Sequence, residues 1–247
     1  MRELNNLIER DLKTHFNSYL SEIPNDFLEV FNYALFPTGK LFRANLVWRY
    51  FCDINDLHLD KINTQKYPNT QLLSSAIEYH HAYTLIHDDL PCMDDDDLRR
   101  GKPTTHKKYN EWKALLAGDG LLNCSYELLA NINHPNGMKI IKEFSKLCGA
   151  SGLILGQYLD LMQNERGFKM SQILKIHRLK TSNLFISCLV AVAIISNKNE
   201  TFISSSRELG KNIGLVFQLI DDLTELSALR ISSHERSINP WLNNYSE

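Results

Sequence analysis

Residues 70–87 read TQLLSSAIEYHHAYTLIH, and residues 88–100, which follow directly, read DDLPCMDDDDLRR. In the first stretch Leu72, Leu73, Ala76, Ile77 and Ile86 fall on helical spacing, which predicts a helix over 70–87. Working outward, Leu4, Leu7, Ile8, Leu12, Phe16 and Leu20 mark the buried stripe of an opening helix. The same pattern continues through Glu111–Asn131, Gly137–Met162, Met170–Ile195 and Phe202–Leu229. Loops are expected near Ile23–Asn25, His58–Asn69, Pro91–Thr105, Asn133–Gly137 and Asn197–Thr201, where Pro, Gly, Asn and charges gather. Strand signals are nearly absent: Asn136-Gly137 precedes a helix rather than joining two alternating runs, and there is no βαβ rhythm or solenoid period. The predicted fold class is an all-α bundle. Leu184–Ile195 is apolar on every face, which predicts a central core helix.

Composition narrows the function classes. The chain has 247 residues, 43% hydrophobic and 23% charged, the balance of a soluble folded domain with a sizeable core. Only 11 Gly and 7 Pro exclude collagen-like or low-complexity chains. With 27 basic against 29 acidic side chains there is no positive field to gather nucleic acid. Cys52, Cys92, Cys124, Cys148 and Cys188 are odd in number and form no CxxC pair, so neither a disulfide framework nor a thiolate zinc site is indicated. The opening MRELNNLIERDLKTHF lacks an apolar signal core, and Leu184–Ile195 is shorter than the roughly 20 residues that cross a bilayer. A cytoplasmic protein that does not span a membrane is expected.

The chemistry concentrates in two acidic clusters. Six carboxylates lie within the ten residues Asp88–Asp97, at the end of an apolar helix. Unit charges roughly 6 Å apart repel by about 3 kcal/mol at an effective dielectric of 20, so such a cluster needs water or cations. The second cluster, Asp221, Asp222 and Glu225, also lies in a greasy helix, flanked by Val216, Phe217, Leu219 and Ile220. The spacing predicts one acidic face, a rim above an apolar cavity. Two such rims facing each other would hold hard divalent cations, and all-oxygen ligation suits Mg2+ with phosphate. Lys40, Arg43, Arg99, Arg100 and Lys180-Thr181 supply cationic and hydroxyl partners for anionic oxygen.

These residues resemble the short-chain trans-isoprenyl diphosphate synthases, in particular the bacterial farnesyl diphosphate synthases. HAYTLIHDDLPCMDDDDLRRGKPTTH is similar to the family's first aspartate-rich motif and FQLIDDLTE to its second. GKLFR is similar to GKRxR, GQYLDL to GQxLDL and LKTSNL to KTxxL, all in family order from Gly39 to Glu225. The resemblance implies the isoprenoid synthase fold, a large single-domain bundle of antiparallel helices around a deep central cavity, over 1–229. It implies condensation of isopentenyl diphosphate with an allylic diphosphate (dimethylallyl or geranyl) to farnesyl diphosphate, by ionisation, attack and proton loss. By resemblance Asp88, Asp89 and Asp94, then Asp221, Asp222 and Glu225, serve several Mg2+ ions. Lys40, Arg43, His81 and Arg100 would bind isopentenyl diphosphate. Arg99, Lys180, Thr181 and Gln218 would serve the allylic diphosphate and its ionisation, Tyr83 would floor the tail cavity and set product length, and the protein would be a homodimer through its apolar helices.

The chain departs from the family pattern at Leu41, which replaces an Arg, at Glu225, which replaces an Asp, and over SALRISSHERSINPWLNNYSE, where 230–247 reads as a divergent, poorly ordered tail. That ending leaves a second reading, a catalytically impaired member acting as a ligand-binding or partner subunit. Glu78 and His81 form one Glu-x-x-His pair, but a di-iron bundle needs a second pair that the sequence lacks. A terpene cyclase would carry one aspartate-rich motif with a different second metal motif, against which GKLFR and the paired arginines argue.

Overall fold

The structure, a computed structural model, describes residues 2–166 and 169–226, with side chains placed over 3–162 and 169–224. The fold is all-α, and its contacts cluster into two compact units, Met1–Ile141 and Lys142–Glu247. The tail 230–247 lies outside the described residues.

In the first unit α1 (Arg2–Tyr19) buries Leu4, Ile8, Leu12, Phe16 and Leu20, the predicted stripe, and keeps the Glu9–Lys13 ion pair toward solvent. Two further helices, α2 (Asn25–Leu35) and α3 (Phe42–Ile54), fall where the sequence gives no clear period. Pro24 opens α2, and Phe36 turns extended ahead of Pro37, as the residue before a proline must. α4 (Pro68–Asp88) starts with Pro in its first turn and packs against α6 (Glu111–Ala130). The α6 face offers Ala114, Ala117, Gly118 and Ser125, small enough for the bulky α4 side chains Tyr79, His80 and Tyr83 to be buried. Between them lies a short hairpin, β1 (Leu98–Arg99) and β2 (Lys102–Pro103), then the single turn α5 (Thr105–Lys108). Arg100 and Gly101 both have positive φ, 54° and 74°, which suits a two-residue hairpin turn. The sequence predicts only a loop over Pro91–Thr105.

α7 (Gly137–Cys148) leads into the second unit, where α8 (Leu153–Arg166) follows a turn closed by Gly152 N–H on the Gly149 carbonyl at 2.9 Å. The helix expected to run unbroken over 137–162 is therefore two. α9 (Met170–His177) passes through a π-helical turn, Arg178–Ser182, into α10 (Asn183–Ile195). From Asn183 to Ile194 every side chain of α10 is buried, so it is a core helix, each large apolar side chain contributing about 1.5–3 kcal/mol. Met170–Ile195 is long and apolar enough to cross a membrane, unlike the shorter run read from sequence, but 72% of its most apolar window is buried inside the protein. α11 (Glu200–Leu226) crosses α10 closely, with Gly214 against the Ser182 backbone and Gly210 against that of Ile186.

Candidate active site

α4 ends at Asp88 because Pro91 cannot continue the helical hydrogen bonding. The chain doubles back instead: Asp94 N–H donates to the Asp88 carbonyl at 2.9 Å and Asp95 N–H to that of Leu90 at 3.2 Å. This closed turn sets Asp88 beside Asp94. Other carboxylates of the run are balanced within the unit. Arg99 Nε donates to both oxygens of Asp89, at 2.7 and 2.9 Å, and Arg99 Nη2 also reaches Asp96 at 3.3 Å. Lys107 pairs with Asp97 at 2.8 Å. Asp89 is buried, and burial holds its carboxyl above the ordinary range although Arg99 pulls the other way. Asp89 is thus an ion-pair partner of Arg99, an engagement the sequence did not reveal for either residue.

A second cluster in the same unit is cationic. Arg43, in the first turn of α3, donates from Nη1 to His81 Nε2 at 3.1 Å. Burial first, then the fields of Arg43, Arg100 and Arg99, drives the His81 pKa well below its usual value, so the ring is neutral and can accept. Arg100, at the hairpin corner, lays its guanidinium on the backbone of Gly39, where any side chain would collide with it. His81, Arg100 and Gly39 line one cleft, with Leu41 and Glu78. Leu41 is buried in its wall at φ 50°. Lys40 is exposed.

The second unit builds its site around the π-helical turn, a feature frequent at functional positions. It bulges Lys180 and Thr181 out of register, and Gly156 on α8 lets the backbone of Lys180 approach where a side chain would block it. Lys180 Nζ pairs with buried Asp160 at 2.6 Å. Thr181 Oγ1 donates to Gln218 Oε1 at 2.7 Å, and Gln218 Nε2 donates to Asp222 Oδ1 at 2.9 Å. Burial, against the pull of Gln218 and aided by Asp221 and Asp160, pushes Asp222 up to about 6. His177 lies 3.7 Å from Asp222 and is held down to about 4, chiefly by burial.

Two sequence expectations change here, at the acids of α11 and at α10. Asp221 is exposed and Asp222 buried, pointing about 100° apart around α11, so the two acids do not share one face; the Glu225 side chain lies outside the described residues. Tyr83 is buried edge-on between His80, at 4.6 Å, and His87, at 5.7 Å, on the α4 face that carries the His80–Ser125 contact to α6. α10 offers no exposed face for self-association, whereas α6 exposes Trp112, Leu115 and Leu116. Asp160 stands in GQYLDL, to which the sequence assigns no individual role; a lone carboxylate among the apolar residues of α8 is the available signal.

The donor set suits Mg2+. Asp88, Asp94, Asp221 and Asp222 are hard oxygen donors, and among the described residues no three His, Cys, Asp or Glu side chains converge on one point. Mg2+ is commonly held by one or two carboxylates with water and phosphate completing its shell.

Comparison with known proteins agrees with this chemistry. A polyprenyl synthetase family model matches residues 24–232. The farnesyl diphosphate synthase of Bacillus subtilis is 40% identical over 156 residues, 61% of this chain and 53% of that protein. The farnesyl diphosphate synthase of Micrococcus luteus is 34% identical over 227 residues, 91% of this chain and 74% of that one. An FPP/GFPP synthase from Zymomonas mobilis superposes with a TM-score of 0.80 at 32% identity, covering 98% of this chain and 88% of its own. A geranyltransferase from Helicobacter pylori, solved with magnesium and isoprenyl diphosphate, gives 0.74 at 29% identity over 94% of this chain and 77% of its own. Arginine-lined cleft, paired aspartates and a lysine on a π-helical turn occur in a chain matched over most of its length, and the chain belongs to the polyprenyl synthetase family.

Proposed function

We propose that this chain is a prenyltransferase that condenses isopentenyl diphosphate with dimethylallyl or geranyl diphosphate to give farnesyl diphosphate. The observation that carries the reading is that each unit has its own anion-binding group: a cleft lined by Arg100 and neutral His81, with Arg43 on the His81 ring, in the first, and Lys180 beside the Thr181–Gln218–Asp222 chain in the second. Two anionic substrates need two such sites. Relatives named for the synthase activity favour this reading over that of an impaired binding subunit.

Lys40, Arg43, His81 and Arg100 bind the diphosphate of the nucleophilic substrate. Lys180, Thr181 and Gln218 orient the allylic diphosphate, and the Lys180 charge stabilises that group as its C–O bond breaks. The isopentenyl double bond then attacks the allylic cation, and a proton leaves the adjacent carbon. Arg99 acts through Asp89, holding the acidic loop in shape. Asp88 and Asp94, with Asp89 beside them, and Asp221, Asp222 and Glu225 would hold several Mg2+ ions, which when bound supply charge stabilisation to diphosphate oxygens. Tyr83 limits the tail, and the exposed apolar side chains of α6 pair two copies of a cytoplasmic enzyme.

The test is product formation from purified protein, Mg2+, labelled isopentenyl diphosphate and geranyl diphosphate. A fifteen-carbon product is expected, and no product at any protein concentration overturns the reading. Tyr83→Ala should shift product toward twenty carbons and beyond; an unchanged product distribution would remove Tyr83 as the floor.

A further inference from the structure

The roles above leave Glu78 unused. It is half-buried, and among the described residues it is the one carboxylate lining the cleft beside His81 and Arg100. Its Oε1 accepts the backbone N–H of Ala44 at 3.0 Å, in the first turn of α3 and one residue from Arg43. We propose that Glu78 is a positioning residue for the isopentenyl diphosphate cleft, holding the Arg43 and Arg100 guanidiniums in place before the diphosphate arrives. The inference rests on the reading of that cleft given above.

The physical need is plain. Arg43 reaches His81 at 3.1 Å, and Arg100 lines the cleft with His81 and Glu78, so the two cations are gathered around one ring. Two guanidiniums drawn to one ring repel each other. A carboxylate on the same cleft offsets that repulsion. Glu78 also anchors the start of α3, where an acid is favoured by the unpaired N–H groups, and thereby fixes the backbone that carries Arg43. From the other side Gly39 supplies the bare backbone on which the Arg100 guanidinium rests. Burial raises the Glu78 pKa, while Ala44 N–H, Arg43 and Arg100 favour its ionised form. As an anion Glu78 also repels diphosphate, so the sign of its effect discriminates. If positioning dominates, removing the charge weakens binding; if repulsion dominates, removing it tightens binding.

The experiment is calorimetric titration of isopentenyl diphosphate into the full chain and into Glu78→Gln, with steady-state kinetics beside it. Gln keeps an oxygen for Ala44 N–H, so thermal melting should hold. About tenfold weaker isopentenyl diphosphate binding is expected, with KM for that substrate raised alike and kcat and the geranyl diphosphate KM within about twofold. Gly39→Ala, which meets only the flexible end of Arg100, should reproduce the same selective loss and serves if Glu78→Gln folds poorly. Unchanged or tighter binding in Glu78→Gln, or equal weakening for both substrates, overturns the inference while leaving the activity intact. Failure of the unmodified chain to bind isopentenyl diphosphate would remove the cleft assignment itself, and this inference with it.

Discussion

Asp88-Asp89 closes α4 and Asp221-Asp222 lies near the end of α11, and the second carboxylate of each pair is only 3% exposed. Asp89 is gripped by the Arg99 guanidinium at 2.7 and 2.9 Å, so its charge is met by a cation of the same unit. Asp222 is held by a neutral amide, Gln218, at 2.9 Å, and beside it His177 is kept neutral by burial. Lys180, the cation of that half-site, is engaged by Asp160. Identical dipeptides thus occupy different electrostatic states. In the first unit the buried acid belongs to the scaffold and shapes the loop that presents Asp88 and Asp94. In the second the buried acid is pushed up to about 6 against the pull of an amide rather than of a guanidinium, and a divalent cation bound there would displace its proton.

The largest expected effect attacks the first half of that contrast. Arg99→Gln leaves Asp89 buried beside a neutral group and should cost about 3 kcal/mol of stability, read by urea denaturation at neutral pH. Adding Asp89→Asn to the variant should recover much of the loss. No loss in the single variant would mean that Asp89 does not depend on its cation, and the contrast would vanish. Next in size, Lys180→Met should lower kcat about a hundredfold by removing the charge from the departing diphosphate. Asp160→Asn should lower kcat less, by about tenfold, because Lys180 stays but is no longer held at 2.6 Å. Equal losses from the two would show that Asp160 does more than position Lys180.

Much of this was legible in the sequence, and the reasons differ by element. α1, α4, α6 and α11 follow from apolar spacing because each buries a defined face or packs between other helices. α2 and α3 escaped because their buried residues, such as Phe31, Trp48 and Phe51, are interleaved with polar ones over barely three turns. The break at Gly149–Gly152 escaped because a periodic stripe runs on both sides of it. Site residues were legible as types in order, but their partners were not. Arg99 reaches Asp89 across ten residues only because the hairpin turns at Arg100 and Gly101, both at positive φ. Gln218 reaches Asp222 within one helix, yet spacing alone does not say which of two adjacent aspartates is buried. From sequence Glu78 reads only as half of a Glu-x-x-His pair, since nothing in the sequence places it against the start of α3.

The smallest effect tests the second half of the contrast, through Asp222→Asn in metal-free protein. The folded carboxyl titrates near 6 against an ordinary 3.8. Below pH about 4 it is protonated in folded and unfolded chains alike and carries no penalty. As pH rises from about 4 to 6 the unfolded chain releases this proton while the folded chain retains it, so stability falls; above about 6 the penalty is constant. Asparagine cannot ionise and can still accept from Gln218 through its side-chain oxygen. The variant should therefore match the unmodified chain near pH 4 and exceed it at pH 8 by about 1–2 kcal/mol, a figure reduced for screening at the edge of the site. Urea denaturation with chelator at the two pH values measures the difference, and titrations shared by both proteins cancel. A variant less stable than the unmodified chain at pH 8 would mean that a cation of the fold already satisfies Asp222 as Arg99 satisfies Asp89, and the two aspartate pairs would then be held alike.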